Sequence, residues 1–195
     1  MNNATETKLT LDDARQSLAG HVAARGAEIR KKYGPAIGWS QLQAILADRE
    51  CVRYPCELAF DAEPLHPDEC AYPVPIGELP EDGFRLCIHP YFSIEPARVP
   101  LLALYQIVSI NYGAFASPND AEVFGAAVLG ITQEEYYDAL CAMADEISTG
   151  HLANGEPDSP ACSCGAGEAK QRVSLPFWDD PPGQSMRTFG QGMGR

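Results

Sequence analysis

The most apolar part of the chain runs from Pro100 to Ile147, and its pattern of apolar and polar positions predicts three consecutive helices. The first predicted helix, 101–112, is apolar almost all round and has few polar positions, namely Gln106, Ser109 and Asn111. A helix that is apolar on every side is a buried helix. Its twelve residues would span roughly 18 Å, which is short of the roughly 30 Å of a bilayer core. We therefore expect a core helix and not a membrane span.

The second and third helices are predicted from the residues at their ends. Ser117-Pro118 places a hydroxyl at the N-cap and a proline at the first helical position. Gly130 can adopt the left-handed conformation that ends a helix, and Thr132–Glu135 forms a capping box for the helix that follows. Ala121 and Gly125 lie four positions apart on one face, so we expect another helix to approach closely there.

These two helices also resemble a helix-turn-helix. Ala126 and Gly130 have the spacing of that motif's small residue and turn glycine. A DNA-binding helix would carry basic and amide side chains towards the bases and phosphates. The third helix instead presents Glu134, Glu135 and Asp138, which would repel phosphates. We expect plain helix packing, with DNA binding as the less favoured alternative.

The periodicity of the first half predicts two more helices and two strands. Helical spacing predicts a helix over 11–33, ended by Gly34-Pro35, and a shorter one over 41–48. Alternating apolar and polar positions predict strands over 52–61 and 84–92. The segment between the strands is rich in proline, and we expect it to be a loop.

Together these elements predict an α+β fold. We expect a single, predominantly helical domain over 9–150 with a short antiparallel β element. From His151 onward glycine, proline, serine and charged residues dominate and no periodicity remains. Residues 151–195 are therefore predicted to be a flexible, disordered tail.

Composition narrows the possible environments and partners. The 195-residue chain has a net charge of −13 and a pI near 4.6, which argues against binding to nucleic acids or anionic membranes. Its N-terminal residues show no apolar segment of a secretory signal, and no apolar run is long enough for a membrane span. Seven cysteines in such a chain suggest a reducing compartment. We expect a cytoplasmic protein.

Cys87 and His89 are the first candidate chemical pair. Two positions apart on a strand, they should point to one face, as a nucleophile and base or as two zinc ligands. Glu57 and Asp61 are expected on that same side. Cys56 should lie on the opposite, apolar side, unless a bulge reverses the alternation. The alternative is a solvated face with a few charge pairs.

A second candidate is the pair His66 and Cys70 in the proline-rich segment. They lie four positions apart, beside Asp68 and Glu69, and mixed ligands at that spacing are possible for zinc. No second recognisable pair accompanies them, so this signal is the less specific of the two.

The tail contains the sequence CSCGAG, in which Cys162 and Cys164 form a CxC pair followed by GxG. This resembles the first half of the SEC-C motif, a small zinc-binding element. The resemblance implies that both cysteines are zinc ligands. The family's second ligand pair would fall at Val173 and Ser174, which are not ligands, and His151 could supply a third.

Phe177 and Trp178 form an aromatic pair in the otherwise polar tail. Such aromatics anchor protein interfaces, and a disordered segment can fold onto a partner. The equally weighted alternative is that they pack back onto the chain's own domain. No nucleotide-binding loop, HExxH or GxSxG motif accompanies them.

The leading hypothesis is a non-catalytic cytosolic binding or accessory protein that contacts a protein partner through its tail. The alternative from another class is a metal- or thiol-dependent protein. Its zinc-type ligands would be Cys162 and Cys164, or Cys87 and His89.

Overall fold

The computed structural model describes residues 11–154, and these form five α-helices and a three-stranded sheet. The helices are α1 (Leu11–Tyr33), α2 (Trp39–Ala47), α3 (Val99–Tyr112), α4 (Pro118–Leu129) and α5 (Gln133–Asn154). The strands are β1 (Cys56–Phe60), β2 (Ala71–Pro75) and β3 (Phe84–Ile88). The predicted α+β class with a mostly helical domain is confirmed.

Helix α3 lies at the centre of the described structure. Every residue from Leu102 to Ile110 is buried, as expected for a helix that is apolar on all sides. α3 packs against α2, α4 and α5 and also against β2 and β3, while α1 packs along α4. None of the helices in the described range is both long enough and apolar enough to cross a membrane.

The helix ends follow the local signals in the sequence. The hydroxyl of Ser117 accepts a hydrogen bond from the backbone N–H of Asp120 at 3.2 Å and caps α4. Gly130 ends that helix in the left-handed conformation, with φ of 69°. The hydroxyl of Thr132 accepts from the N–H of Glu135 at 3.1 Å, so the predicted capping box of α5 is confirmed.

Small residues allow the helices to approach closely. Gly125 on α4 lies against the ring of Tyr136 on α5, and a β-carbon there would overlap the ring. Tyr136 is fully buried and donates its hydroxyl to the carbonyl of Leu101 at 2.5 Å. On the other side of α4, a β-carbon at Gly26 of α1 would lie 2.7 Å from that of Ala127. The predicted close approach at Gly125 is confirmed, and α1 makes a second one.

The sheet is mixed and has the strand order β1-β3-β2. The two strands predicted from alternation, β1 and β3, pair in parallel, with Cys56 opposite Phe84. The antiparallel pairing is made by β2, which pairs with β3 and lies in the segment predicted to be a loop. The loop prediction is therefore wrong for Ala71–Pro75. Proline is tolerated there because β2 is an edge strand.

Both predicted strands are shorter than their alternating patterns. The backbone before β1 makes hydrogen bonds with a side chain instead of a strand. Asn111 accepts from the N–H of Arg53 at 2.8 Å and donates to the carbonyl of Cys51 at 2.9 Å. β3 ends because Pro90 opens a 3-10 helix, and the Nδ1 of His89 caps it. Hydrogen bonds between a side chain and the backbone, from the distant Asn111 in one case and from the adjacent His89 in the other, thus occur at both strand ends.

Candidate functional site

A cavity of about 450 Å³ lies between the second half of α3, strand β2 and the segment before β1. We call it the α3–β2 cavity. Its walls are aromatic and proline side chains together with a few polar residues of α3. The aromatic residues are Tyr54, Tyr72, Phe84, Tyr112 and Phe115. Apolar walls with a small number of polar groups are typical of small-molecule sites.

Two amide side chains of α3 hold the walls of the α3–β2 cavity in place. The Nε2 of Gln106 donates to the carbonyl of Ala71 at 2.8 Å, which ties β2 to the helix. One turn further on, Asn111 makes the two bonds that hold the backbone of Cys51 and Arg53. The strand and the segment before β1 are therefore fixed to one rigid helix, and the cavity is preformed.

Ser109 lies between these two amides and also lines the cavity. It is 8% exposed, and its hydroxyl has no hydrogen-bond partner among residues 11–154. A hydroxyl in such a place can donate to or accept from a bound molecule.

Glu69 supplies the carboxyl group of the cavity. It is 4% exposed. Its Oε2 accepts a hydrogen bond from the backbone N–H of His66 at 3.2 Å, and no basic side chain of the described residues forms an ion pair with it. Burial raises the pKa of this carboxyl above its ordinary value, and both the hydrogen bond from the His66 backbone and the electrostatic interaction with the His66 side chain oppose that rise. A buried carboxyl that forms no ion pair within the described part of the chain is unusual and marks a candidate site.

The aromatic walls have their own electrostatic character. Tyr54 and Phe84 are in contact, with ring centroids 6.0 Å apart. The guanidinium of Arg53, at the exposed rim, lies 6.0 Å from the centroid of the Tyr112 ring. Burial raises the pKa of the Tyr72 hydroxyl, and the negative charge of Glu69 raises it further. The ring faces and the carboxyl are the groups of the lining that can attract a cation.

Cys87 lies within β3, whereas His89 lies just beyond its end and caps the following 3-10 helix. Cys87 is 1% exposed, and burial raises the pKa of its thiol, so the thiol is protonated at neutral pH. The Nδ1 of His89 accepts from the N–H of Tyr91 at 3.2 Å, which gives the imidazole a capping role. On the surface beside Cys87, Glu57 and Arg85 form a cross-strand ion pair at 2.7 Å. This is the charge pair expected of a solvated face.

The strand register places Cys56 and Cys87 on opposite faces of the sheet. Cys56 pairs with Phe84, whereas Cys87 pairs with Ala59, three positions further along β1. In the neighbouring segment His66 is exposed and Cys70 is buried, and burial raises the pKa of Cys70 to about 12. Across residues 11–154, no three histidine, cysteine or acidic side chains converge so that they could hold a metal ion.

The tail candidates lie outside the described residues. Cys162 and Cys164 as zinc ligands, and Phe177 and Trp178 as the contact with a protein partner, therefore stay predictions from the sequence.

The sequence contains one signal for the α3–β2 cavity, and it is not among the motifs described above. Gln106 and Ser109 are polar residues three positions apart on an otherwise apolar helix, so they share one face. Polar residues on a buried helix need partners or a cavity. The position of Glu69 had no comparable signal, because it depends on where β2 lies.

No family model matches the chain, and no curated protein or solved structure is significantly similar to it. Its function is therefore inferred from the geometry of the cavity.

Proposed function

We propose that the chain is a non-catalytic binding protein that holds a small organic molecule in the α3–β2 cavity. The observation that carries this proposal is the cavity itself, about 450 Å³ in volume and walled by five aromatic side chains. Small-molecule sites have volumes of about 300–1,000 Å³, apolar walls and a few polar groups that orient the ligand. Glu69, Ser109 and Gln106 are such groups here.

The preformed walls favour the interpretation that the cavity is a binding site over the interpretation that it is a packing void. Gln106 and Asn111 hold the two sides of the cavity to α3 through hydrogen bonds of 2.8–2.9 Å. A site that is already in its binding conformation avoids the entropic cost of ordering loops around the ligand. A void that served packing alone would be expected to collapse.

The chemistry of the lining favours binding over catalysis. The described residues that line the cavity include no histidine and no cysteine. The hydroxyl of Ser109 therefore has no imidazole base beside it of the kind that activates a serine nucleophile. The thiols of Cys51 and Cys70 have pKa values raised by burial to about 12, so they would be protonated and unreactive.

We further propose that the protein acts in the cytoplasm and contacts a protein partner through Phe177 and Trp178. The five cysteines of the described residues are free thiols, which suits a reducing compartment. Deletion of residues 170–195 should abolish capture of the partner and leave the thermal unfolding of the chain unchanged. Undiminished capture by the shortened chain would refute the contact through the tail.

The cavity is tested with 3-phenylpropan-1-ol, a neutral aromatic alcohol, added to ¹⁵N-labelled full-length chain. We expect shifts of the amide resonances of residues around the cavity, such as Gln106, Ser109 and Tyr72. Ser109→Phe should fill the cavity and abolish these shifts, whereas Ser93→Phe, at an exposed position, should leave them unchanged. Absence of any shift at the cavity with this alcohol and with its charged counterparts, 3-phenylpropylamine and 3-phenylpropanoate, or shifts that persist in folded Ser109→Phe, would refute the proposal.

A further inference from the structure

We propose that the ligand of the α3–β2 cavity is an organic cation, an amine with an apolar substituent whose ammonium group pairs with Glu69. This inference rests on the proposed function and adds the chemical class of the ligand. Three separate observations support it: the buried carboxyl of Glu69, the aromatic walls and the charge of the chain.

The first observation is the carboxyl of Glu69. It lines the cavity and is 4% exposed, and its described partner is one backbone N–H, that of His66. A buried carboxylate is costly when no described side chain forms an ion pair with it, and the raised pKa of Glu69, caused first by burial, expresses that cost. An ammonium group in the cavity would remove the cost because it supplies both positive charge and hydrogen-bond donors.

The second observation is the set of aromatic side chains that line the same cavity. The faces of aromatic rings attract cations, and five rings line the cavity. One ring already holds a cation, since the Arg53 guanidinium lies over Tyr112 at 6.0 Å from its centroid. The apolar part of an amine would pack on the remaining rings and prolines, while its nitrogen faced Glu69.

The third observation concerns charge at longer range. The chain has a net charge of −13, which raises the local concentration of cations and lowers that of anions. Of the residues between 11 and 154, Arg53 is the one basic residue that lines the cavity, and it is exposed, so salt screens its charge. An anionic ligand would have to enter beside Glu69, so the lining disfavours anions.

The test compares three molecules that share one skeleton and differ in charge. These are 3-phenylpropylamine, 3-phenylpropan-1-ol and 3-phenylpropanoate, each titrated calorimetrically into the full-length chain at neutral pH. A hydrogen-bonded ion pair should make the amine bind at least about tenfold more tightly than the alcohol, and the carboxylate should bind more weakly than both.

Glu69→Gln is the matched variant, with Glu63→Gln, an exposed residue of the same segment, as its control. Glu69→Gln should lower the affinity for the amine about tenfold or more and leave that for the alcohol within about twofold. Glu63→Gln should change neither. Should Glu69→Gln fail to fold, the wild-type chain gives the same answer through pH, because protonation of Glu69 at acidic pH would weaken binding of the amine alone.

Several groups near Glu69 belong to that pH analysis. His66 and Tyr72 act on the carboxyl directly, and Arg53, Tyr54 and Tyr112 line the same cavity. The same measurements on His66→Gln separate the contribution of Glu69 from that of the neighbouring imidazole.

The possible outcomes separate the two proposals. If the alcohol or the carboxylate binds as tightly as the amine, or if Glu69→Gln leaves the amine unaffected, the cavity is a binding site but not one for cations. If none of the three molecules binds, the proposed function fails as well.

Discussion

The side-chain oxygen of Asn111 accepts a hydrogen bond from the backbone N–H of Arg53 at 2.8 Å, although the two residues lie 58 positions apart in the chain. The same amide donates to the carbonyl of Cys51 at 2.9 Å. One side chain at the end of α3 therefore replaces the strand pairing that the segment before β1 lacks. It also fixes the wall of the α3–β2 cavity that carries Arg53 and Tyr54.

Asn111→Ala should destabilise the chain by about 1–3 kcal/mol, because it leaves a backbone N–H and a carbonyl without their partner. Chemical denaturation monitored by circular dichroism measures this change. Asn119→Ala, at an exposed position where the amide contacts the Gln133 side chain, is the matched control and should stay within about 0.5 kcal/mol of wild type. Equal effects of the two substitutions would contradict the role given to Asn111.

Gly125→Ala should destabilise the chain by about 1–3 kcal/mol, since the added methyl group would overlap the ring of Tyr136 and force α4 and α5 apart. Gly20→Ala is the control within α1, where nothing lies within 4 Å of the added carbon. There the change should stabilise by about 0.5–1 kcal/mol through helix propensity. Thermal unfolding of both variants measures these changes. If Gly125→Ala left the stability unchanged, α4 and α5 would be loosely packed at this point.

Asp48 joins α1 to the end of α2. It accepts hydrogen bonds from Lys32 at 2.7 Å and from the hydroxyl of Tyr33 at 2.8 Å, and the bond from Lys32 is the largest cause that holds the pKa of Asp48 well below its ordinary value. A carboxyl with a lowered pKa contributes stability at neutral pH. That contribution is lost as the pH falls below the pKa of the unfolded chain, about 4.

Asp48→Asn should therefore cost about 1–3 kcal/mol at pH 7, and the difference from wild type should narrow as the pH falls below about 4. Urea denaturation at several pH values measures it. Asp138→Asn, at an exposed position on α5, should show no such dependence. A difference that is the same at pH 7 and pH 3 would show that charge plays no part.

The buried thiols should react slowly. In a Cys162→Ser/Cys164→Ser variant treated with excess thiol reagent at about pH 8, Cys141 should react first because it is partly exposed. Cys51, Cys70 and Cys87 are buried with raised pKa values, so we expect them to react after denaturant is added. Mass spectrometry identifies each labelled residue. Labelling of Cys87 at the rate of Cys141 would instead favour the thiol-dependent alternative.

The helical part of the fold could be predicted because its signals are local. The Ser117 cap, the Gly130 stop and the Thr132 capping box each depend on residues within one turn of the chain. The prediction of α1 over 11–33 agrees with its observed bounds for the same reason.

The sheet was harder to predict because its pairing is not local. Alternation indicated β1 and β3 but not that they pair in parallel, since the direction depends on the connection between them. β2 could not be predicted because Pro73 and Pro75 are typical of loops. A strand tolerates these prolines only at the edge of a sheet, and the sequence does not show that β2 is an edge strand. The cavity combines β2 with α3, so it could not be predicted before the pairing was known.

The prolines of β2 have one more consequence. The N–H of Ile76 donates to Gly83 of the neighbouring chain segment, so alternate residues of β2 point their N–H groups inward and Pro73 and Pro75 occupy outward-facing positions. Proline has no N–H, and the carbonyl of Ala71 is already bonded to Gln106. The outer edge of β2 therefore offers no backbone N–H at Pro73 or Pro75 to an added strand, which disfavours edge-to-edge pairing with another molecule on that side of the sheet.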